Sequence, residues 1–416
     1  MGQWDRSALM SNYGPPPVTF VSGSGSVLRD DEGRSYLDFL CGLAVTSLGH
    51  AHPEVAAALG EQARRLVHVS NLFGNEIAPG VALTLDRLIG NGTPAGGQIF
   101  FANSGAESIE CAIKLARRWS GGERTGIVAT LGGFHGRTMG ALAATGQLEK
   151  QTAFVPMLDG FVHVPYDDLD AMDQALDPSA VVGLLIEPIQ GEAGVVTPSS
   201  DYLPQVARWC KERNILLMVD EIQTGLGRTG SWFAFQGANV EPDIVTMAKA
   251  LGNGVPVGAC WARAEVATAF QPGDHGSTFG GQPLAMAAVR ATLEVMERED
   301  VPGRAAVTGE YLASGLARLP GVSSVRGAGL LRAAVLAHPF ASALAAEALR
   351  DGLVVNAPRP DVLRLAPSLL VTTEEVDQAL AILRRILTRL TAVYGLGRTD
   401  PAAGSPGPGS HEKEAP

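Results

Sequence analysis

Two segments, Ile215-Leu-Leu-Met-Val-Asp220 and Asp243-Ile-Val-Thr-Met-Ala-Lys249, point to the architecture of this chain. Each is an apolar run without polar alternation, the mark of a parallel strand covered on both faces. Each also ends in a charge that a core does not hold without a partner. Ligands bind at the carboxyl ends of such strands. The pattern therefore predicts a carboxylate, Asp220, and an amine, Lys249, at one crevice.

Such a pair suits carbanion chemistry on pyridoxal 5'-phosphate. A lysine amine forms a Schiff base with the cofactor aldehyde, and a buried carboxylate keeps the pyridine nitrogen protonated so that the ring acts as an electron sink. A free lysine titrates near about 10.4, and burial beside cations lowers this, freeing the amine for imine formation and proton transfer. Asp220 and Lys249 are the candidates for these roles. An ordinary ion pair between neighbouring strand ends is the competing account of the two residues taken alone.

Around this pair, strand patterns at 98–102, 126–130, 181–187, 215–220, 243–247 and 258–262 alternate with helical ones between residues 56 and 284. Alternation of this kind predicts an α/β domain with a mainly parallel sheet flanked by helices. Ahead of it, Val27-Leu-Arg-Asp-Asp-Glu-Gly-Arg-Ser-Tyr-Leu-Asp38 reads as a hairpin around a polar turn, too short to fold alone. Behind it, long helices are expected at 285–298 and 374–392, with strands near 330–335 and 362–365. Residues 1–12 read as an N-terminal tail. The Gly-, Pro-, Ala- and Ser-rich stretch 395–416 reads as a disordered one, because it buries too little apolar surface to order itself.

The 416 residues are 46% hydrophobic and 18% charged, the balance of a folded globular chain. A formal charge of −11 argues against a nucleic-acid footprint and against anionic membrane surfaces. No apolar run reaches the roughly 18 residues of a membrane span, and Met1-Gly-Gln-Trp-Asp5 lacks the basic and apolar regions of a signal peptide, so a cytoplasmic location is expected. Cys41, Cys111, Cys210 and Cys260 show no metal or disulfide spacing and are expected to be buried small hydrophobes. His50 and His52 lack the further ligands that a metal site requires.

Ser104-Gly105-Ala106-Glu107 precedes an amphipathic series, which makes Ser104 a helix N-cap. A capping box explains Ser104 and Glu107, but a glycine in the first turn suits close approach of a ligand, and exposed N–H groups there suit a phosphate. Gly225-Leu-Gly-Arg-Thr-Gly230 matches a dinucleotide fingerprint in letters only. No glycine-led helix follows it, and no acidic residue ends a second strand at the expected spacing.

Leu217-Met-Val-Asp-Glu-Ile-Gln-Thr-Gly-Leu-Gly-Arg-Thr-Gly230 and Met247-Ala-Lys-Ala-Leu-Gly-Asn-Gly-Val-Pro256 resemble segments of the class III aminotransferases. The family's order is kept by Leu48-Gly-His-Ala-His-Pro53, Ser70-Asn-Leu-Phe73, Phe101-Ala-Asn-Ser-Gly-Ala-Glu107, Gly133-Phe-His-Gly-Arg-Thr138, Glu187-Pro-Ile-Gln-Gly-Glu192 and His275-Gly-Ser-Thr-Phe-Gly-Gly281. The likeness runs from Tyr13 to about Leu383. It implies the fold type I architecture, with a large cofactor-binding domain over 56–284 and a smaller α+β domain from 13–55 and 285–394.

Residue by residue, the resemblance implies pyridoxal phosphate held by Ser104, Gly105 and Ala106 at its phosphate, with Phe134 stacked on its ring and His135 beside it. Gln223 would bind its phenolic oxygen, Asp220 its ring nitrogen and Lys249 its aldehyde. Ser277 and Thr278 would reach the phosphate of the neighbouring subunit, giving a homodimer with shared active sites. Arg137 would hold the α-carboxylate of an ω-amine donor and Arg364 that of glutamate. Glu192 would gate Arg364, and Tyr13 and Asn71 would line the substrate side. The implied reaction moves the δ-amino group of N2-acetylornithine to 2-oxoglutarate, giving N-acetylglutamate 5-semialdehyde and glutamate. Its rivals are an ornithine, succinylornithine, γ-aminobutyrate or lysine-type ω-aminotransferase and, from another reaction class, a glutamate semialdehyde aminomutase.

Overall fold

Residues 8–175 and 177–393 are described by the computed structural model; the 395–416 tail and residues 1–7 of the N-terminal tail lie outside the described residues. Fifteen strands occur among the described residues. The first three are β1 (Phe20–Ser24), β2 (Val27–Asp30) and β3 (Ser35–Asp38). The next seven are β4 (Gly97–Ala102), β5 (Gly126–Thr130), β6 (Phe161–Val164), β7 (Val181–Ile186), β8 (Leu216–Asp220), β9 (Ile244–Met247) and β10 (Gly258–Arg263). The last five are β11 (Val322–Ala328), β12 (Leu331–Leu336), β13 (Leu353–Val354), β14 (Asn356–Arg359) and β15 (Val362–Leu365).

The central sheet has the order β4-β10-β9-β8-β7-β5-β6. Side chains along its inner strands divide between two cores, as period-two geometry requires. In β8, Leu217 and Val219 enter one apolar cluster while Leu216 and Met218 enter the other. Both faces are therefore dry, which is why these strands read as unbroken apolar runs.

β5, β6, β7, β8 and β9 run parallel. β10 is antiparallel to both β9 and β4. Its connection from β9 is too short for a helical crossover, which a parallel return needs. β6 carries no strong signal in the sequence, because it is a four-residue edge strand with a histidine in it.

Two four-stranded sheets flank this layer. The first joins β1, β2 and β3 to β13, which runs parallel to β3 with Leu353 opposite Leu37. N-terminal and C-terminal segments thus share one sheet, and the hairpin finds the packing it needs. The second, β11-β12-β15-β14, is antiparallel and carries Arg364 on β15. Helix Thr373–Val393 packs on helix Ala341–Arg350, and helix Pro283–Arg298 on helix Pro53–Arg65.

Loop motifs tie these layers together. Asn253 accepts the Leu48 N–H at 2.8 Å and donates to the Gly49 carbonyl at 3.2 Å. His50 is tied to Asp38 at 2.7 Å. The segment that resembled a dinucleotide fingerprint is an internal brace. The Arg228 guanidinium, 1% exposed, donates to the carbonyls of Leu330 and Pro367 and to the Ser47 hydroxyl.

Candidate active site

β8 ends at Asp220, which is 3% exposed. One carboxylate oxygen accepts the Ile222 N–H at 3.0 Å and lies 3.5 Å from the Thr246 hydroxyl; the other is 2.8 Å from His135 Nδ1. Burial pulls the imidazole's pKa down, but the hydrogen bond to Asp220 and the charges of Asp220 and Glu187 outweigh it, so His135 titrates above its ordinary value. Its Nε2 is buried without a partner among the described residues.

The sequence places Lys249 at the close of a strand; β9 instead stops at Met247, and Lys249 opens a tight turn with φ 44°. A non-glycine residue in the left-handed region is strained, and such strain gathers at functional positions. Burial lowers the amine's pKa, opposed by the carboxylates of Glu192, Asp220 and Glu187. An amine and three carboxylates therefore lie within electrostatic reach at the carboxyl edge of the sheet.

The loop after β5 supplies Phe134, His135 and Arg137. Gly136, at φ 143°, lets it lie on the helix Gly105–Trp119, since a Cβ there would fall 2.8 Å from that of Ala106. Ser104 caps this helix by accepting the Glu107 N–H at 3.2 Å. Glu107 does not complete the box on Ser104; it reaches back to the backbone and side-chain N–H groups of Asn103. The N–H groups of Gly105 and Ala106 take no acceptor among the described residues, as an anion cradle needs. The Arg137 guanidinium stands over the Phe134 ring, 5.6 Å from its centroid. The same helix steadies the loop through Glu110, which accepts the Thr138 hydroxyl at 2.6 Å and the Gly140 N–H at 2.9 Å.

β15 carries Arg364, 1% exposed. It donates to Glu192 at 2.5 Å, to the Gly191 carbonyl at 3.2 Å and to Asn356 at 3.0 Å, while its Nη2 has no partner among the described residues. Burial would raise the pKa of Glu192, but the charge and hydrogen bond of Arg364, with the Lys249 charge and the Gln223 hydrogen bond, together hold the carboxyl below its usual range. Gln223 joins this network, 3.5 Å from both Glu192 and Arg364, in space that only a glycine at 191 leaves open: a Cβ there would fall 1.6 Å from Gln223 Oε1.

The other predicted residues are held in loop contacts or exposed. The Ser277 hydroxyl accepts from Asn103 of its own chain and from the Gly280 N–H, while Thr278 is exposed. The Asn71 amide donates to the Ser277 and Gly280 carbonyls, so in this conformation it ties a loop. Tyr13 is 76% exposed. Sequence reasoning assigned no role to Glu187, Glu110 or Asn356; Glu187 was visible as a charge ending the apolar run 181–187, the signal that singled out Asp220.

The donor set fits a planar, anionic, aldehyde-bearing pyridine. It offers open N–H groups at a helix start, an aromatic face at Phe134, a buried carboxylate and an amine of lowered pKa.

A family model described as aminotransferase class-III matches residues 9–387, and the chain belongs to that family. It is similar to an acetylornithine aminotransferase of Gloeobacter violaceus, 46% identical over 391 residues that cover 92% of this chain and 96% of the relative. Among solved structures it resembles an ornithine aminotransferase from Toxoplasma gondii, with a TM-score of 0.88, 34% identity and 94% of each chain covered. It also resembles an acetylornithine aminotransferase from Elizabethkingia anophelis, with a TM-score of 0.80, 33% identity, and 92% and 96% covered.

Proposed function

We propose that this chain transfers the δ-amino group of N2-acetylornithine to 2-oxoglutarate with pyridoxal 5'-phosphate as cofactor, as a cytoplasmic homodimer. The observation that carries the reading is Arg364: a buried guanidinium with one nitrogen unpartnered and its carboxylate partner, Glu192, still 29% exposed. A site serving two different amine donors needs such a group, able to accept a substrate carboxylate in one half-reaction and to be neutralised by the protein in the other. Acetylornithine as donor is supported by the Gloeobacter violaceus relative of that name, 46% identical, against 34% for the ornithine aminotransferase structure.

When bound, the cofactor supplies an electron sink for the carbanion at the substrate carbon. Asp220 would hold the proton on the ring nitrogen, with His135 fixing the carboxylate's orientation. Lys249 Nζ, its pKa lowered by burial, would carry the proton to and from the substrate carbon. Phe134 would cover one ring face and exclude water. The N–H groups of Gly105 and Ala106 would hold the phosphate. Arg137 would receive the α-carboxylate of the ω-amine donor while Glu192 stays paired with Arg364, and Arg364 would receive that of glutamate once Glu192 has moved away. Thr278, on the exposed loop, would meet the second copy of the chain.

The test is turnover of N2-acetylornithine against free ornithine with 2-oxoglutarate as acceptor. The acetylated donor is expected to give the higher kcat/KM; preference for the free amine would transfer the reading to ornithine. Gel filtration tests the dimer, and a monomer with full activity would remove the shared site.

A further inference from the structure

Three assigned groups, Phe134, His135 and Arg137, sit on one loop, and a buried carboxylate not yet given a role ties its backbone at Phe134. Glu187, the residue after β7, is 6% exposed, and its Oε2 accepts the Phe134 N–H at 2.9 Å. Its own carbonyl accepts the Tyr166 hydroxyl at 3.0 Å, which fixes its backbone. A side chain at Gly133 would lie 3.3 Å from His135 Nε2 and 3.4 Å from Glu187 Oε2, so imidazole and carboxylate border the same small space. That Nε2 is the buried nitrogen without a partner, and the other ring nitrogen is the one on Asp220.

Resting on the cofactor reading given above, we propose that Glu187 is a positioning residue for the cofactor ring, acting at two points. Through the Phe134 N–H it holds the aromatic face in place. From the far side of His135 it governs whether that imidazole offers Asp220 a neutral or a charged donor. A charged imidazole weakens the hold of Asp220 on the ring proton, and an ionised Glu187 favours the charged imidazole.

The groups facing Glu187 are His135 and the Phe134 N–H from the loop after β5, Asp220 at the end of β8, Lys249 after β9 and the Tyr166 hydroxyl. Burial raises the Glu187 carboxyl to about 7, with the His135 charge pulling the other way. Burial thus brings its change of charge toward neutrality.

Holoenzymes of the wild type, Glu187→Gln, Glu187→Ala and Asp220→Asn test this through two readouts besides turnover. These are the visible absorption of the bound cofactor between about pH 5.5 and 9, the range in which such groups titrate, and cofactor retention on dilution. The wild type should show an inflection near neutrality. Glu187→Gln keeps an oxygen for the Phe134 N–H and should retain cofactor like the wild type while losing the inflection. Glu187→Ala should lose the inflection and also weaken retention roughly tenfold or more, because the part-buried Phe134 N–H is left unpaired. A wild-type titration in Glu187→Gln would overturn the electrostatic role, and wild-type retention in Glu187→Ala would overturn the anchoring role. Asp220→Asn separates this from the underlying reading: an unchanged spectrum in that variant would remove the ring from Asp220 and leave Glu187 nothing to act on.

Discussion

The carboxyl edge of the parallel sheet and the face of the antiparallel sheet β11-β12-β15-β14 both place a buried charge at the same cleft, but they hold it differently. Asp220 is enclosed, with its oxygens engaged by Ile222, Thr246 and His135. Arg364 is equally buried, yet its acidic partner is partly solvated and one of its nitrogens is unpartnered. An enclosed pair cannot exchange partners without exposing an uncompensated charge, whereas a pair with one wet member can. On the proposed reading, chemistry common to every substrate would sit at the first place, and discrimination between substrates at the second.

Loss of the amine at the fixed edge should be the most damaging change. Lys249→Ala is expected to lower turnover by roughly a thousandfold or more, the cost of removing a positioned proton carrier. Steady-state assays of the variant with N2-acetylornithine would check it, and turnover within tenfold of the wild type would erase the distinction drawn between the two places.

Substitutions at the exchangeable pair should instead split the half-reactions. Arg364→Ala should slow the glutamate half-reaction by about a hundredfold or more, in line with breaking a buried ion pair, and should affect the acetylornithine half-reaction less. Arg137→Ala, at an exposed guanidinium, should show the reverse preference with a smaller loss. Glu192→Gln should strengthen 2-oxoglutarate binding and weaken that of the amine donor, each by about tenfold, because the competing carboxylate is gone. Single-turnover spectra with each substrate separate these effects. Equal losses in both half-reactions for all three variants would mean that the arginine does not change partners.

The enclosed edge was legible in the sequence because parallel strands are short, local and uniformly apolar, so a terminal charge stands out after Val219 as it does after Ile186. The exchangeable face was not. Val362-Leu-Arg-Leu365 reads as a strand, but pairing Arg364 with Glu192 and Asn356 depends on contacts across 172 and 8 residues that no local pattern encodes. Only the family resemblance pointed to that arginine. Turn geometry was hidden as well: Lys249 takes a left-handed conformation in the return from β9 to β10, and a lysine in the sequence does not announce one. Arg228 was read within a glycine pattern, although its carbonyl partners lie more than a hundred residues away.

A smaller effect concerns the layer just behind the fixed edge, where Glu221 is 1% exposed and accepts the Thr224 hydroxyl and the Phe235 N–H. Burial raises its pKa from 4.5 to about 7 despite those bonds. A carboxyl whose folded pKa lies above its unfolded one favours the folded state fully below the unfolded value, and loses that contribution as pH rises through the folded value. The protein should therefore lose stability between about pH 4.5 and 7 on account of this group, by an amount on the order of 3 kcal/mol at about 1.36 kcal/mol per unit. Glu221→Gln removes the titration but supplies only one acceptor oxygen, which costs about 1 kcal/mol. The variant should thus be less stable than the wild type in acid and more stable by on the order of 1–2 kcal/mol above neutrality. Urea unfolding at about pH 4.5 and pH 8 would show the crossing. Parallel curves for the two proteins would mean that Glu221 stays ionised, and that its N–H and hydroxyl donors compensate its burial as fully as those around Asp220.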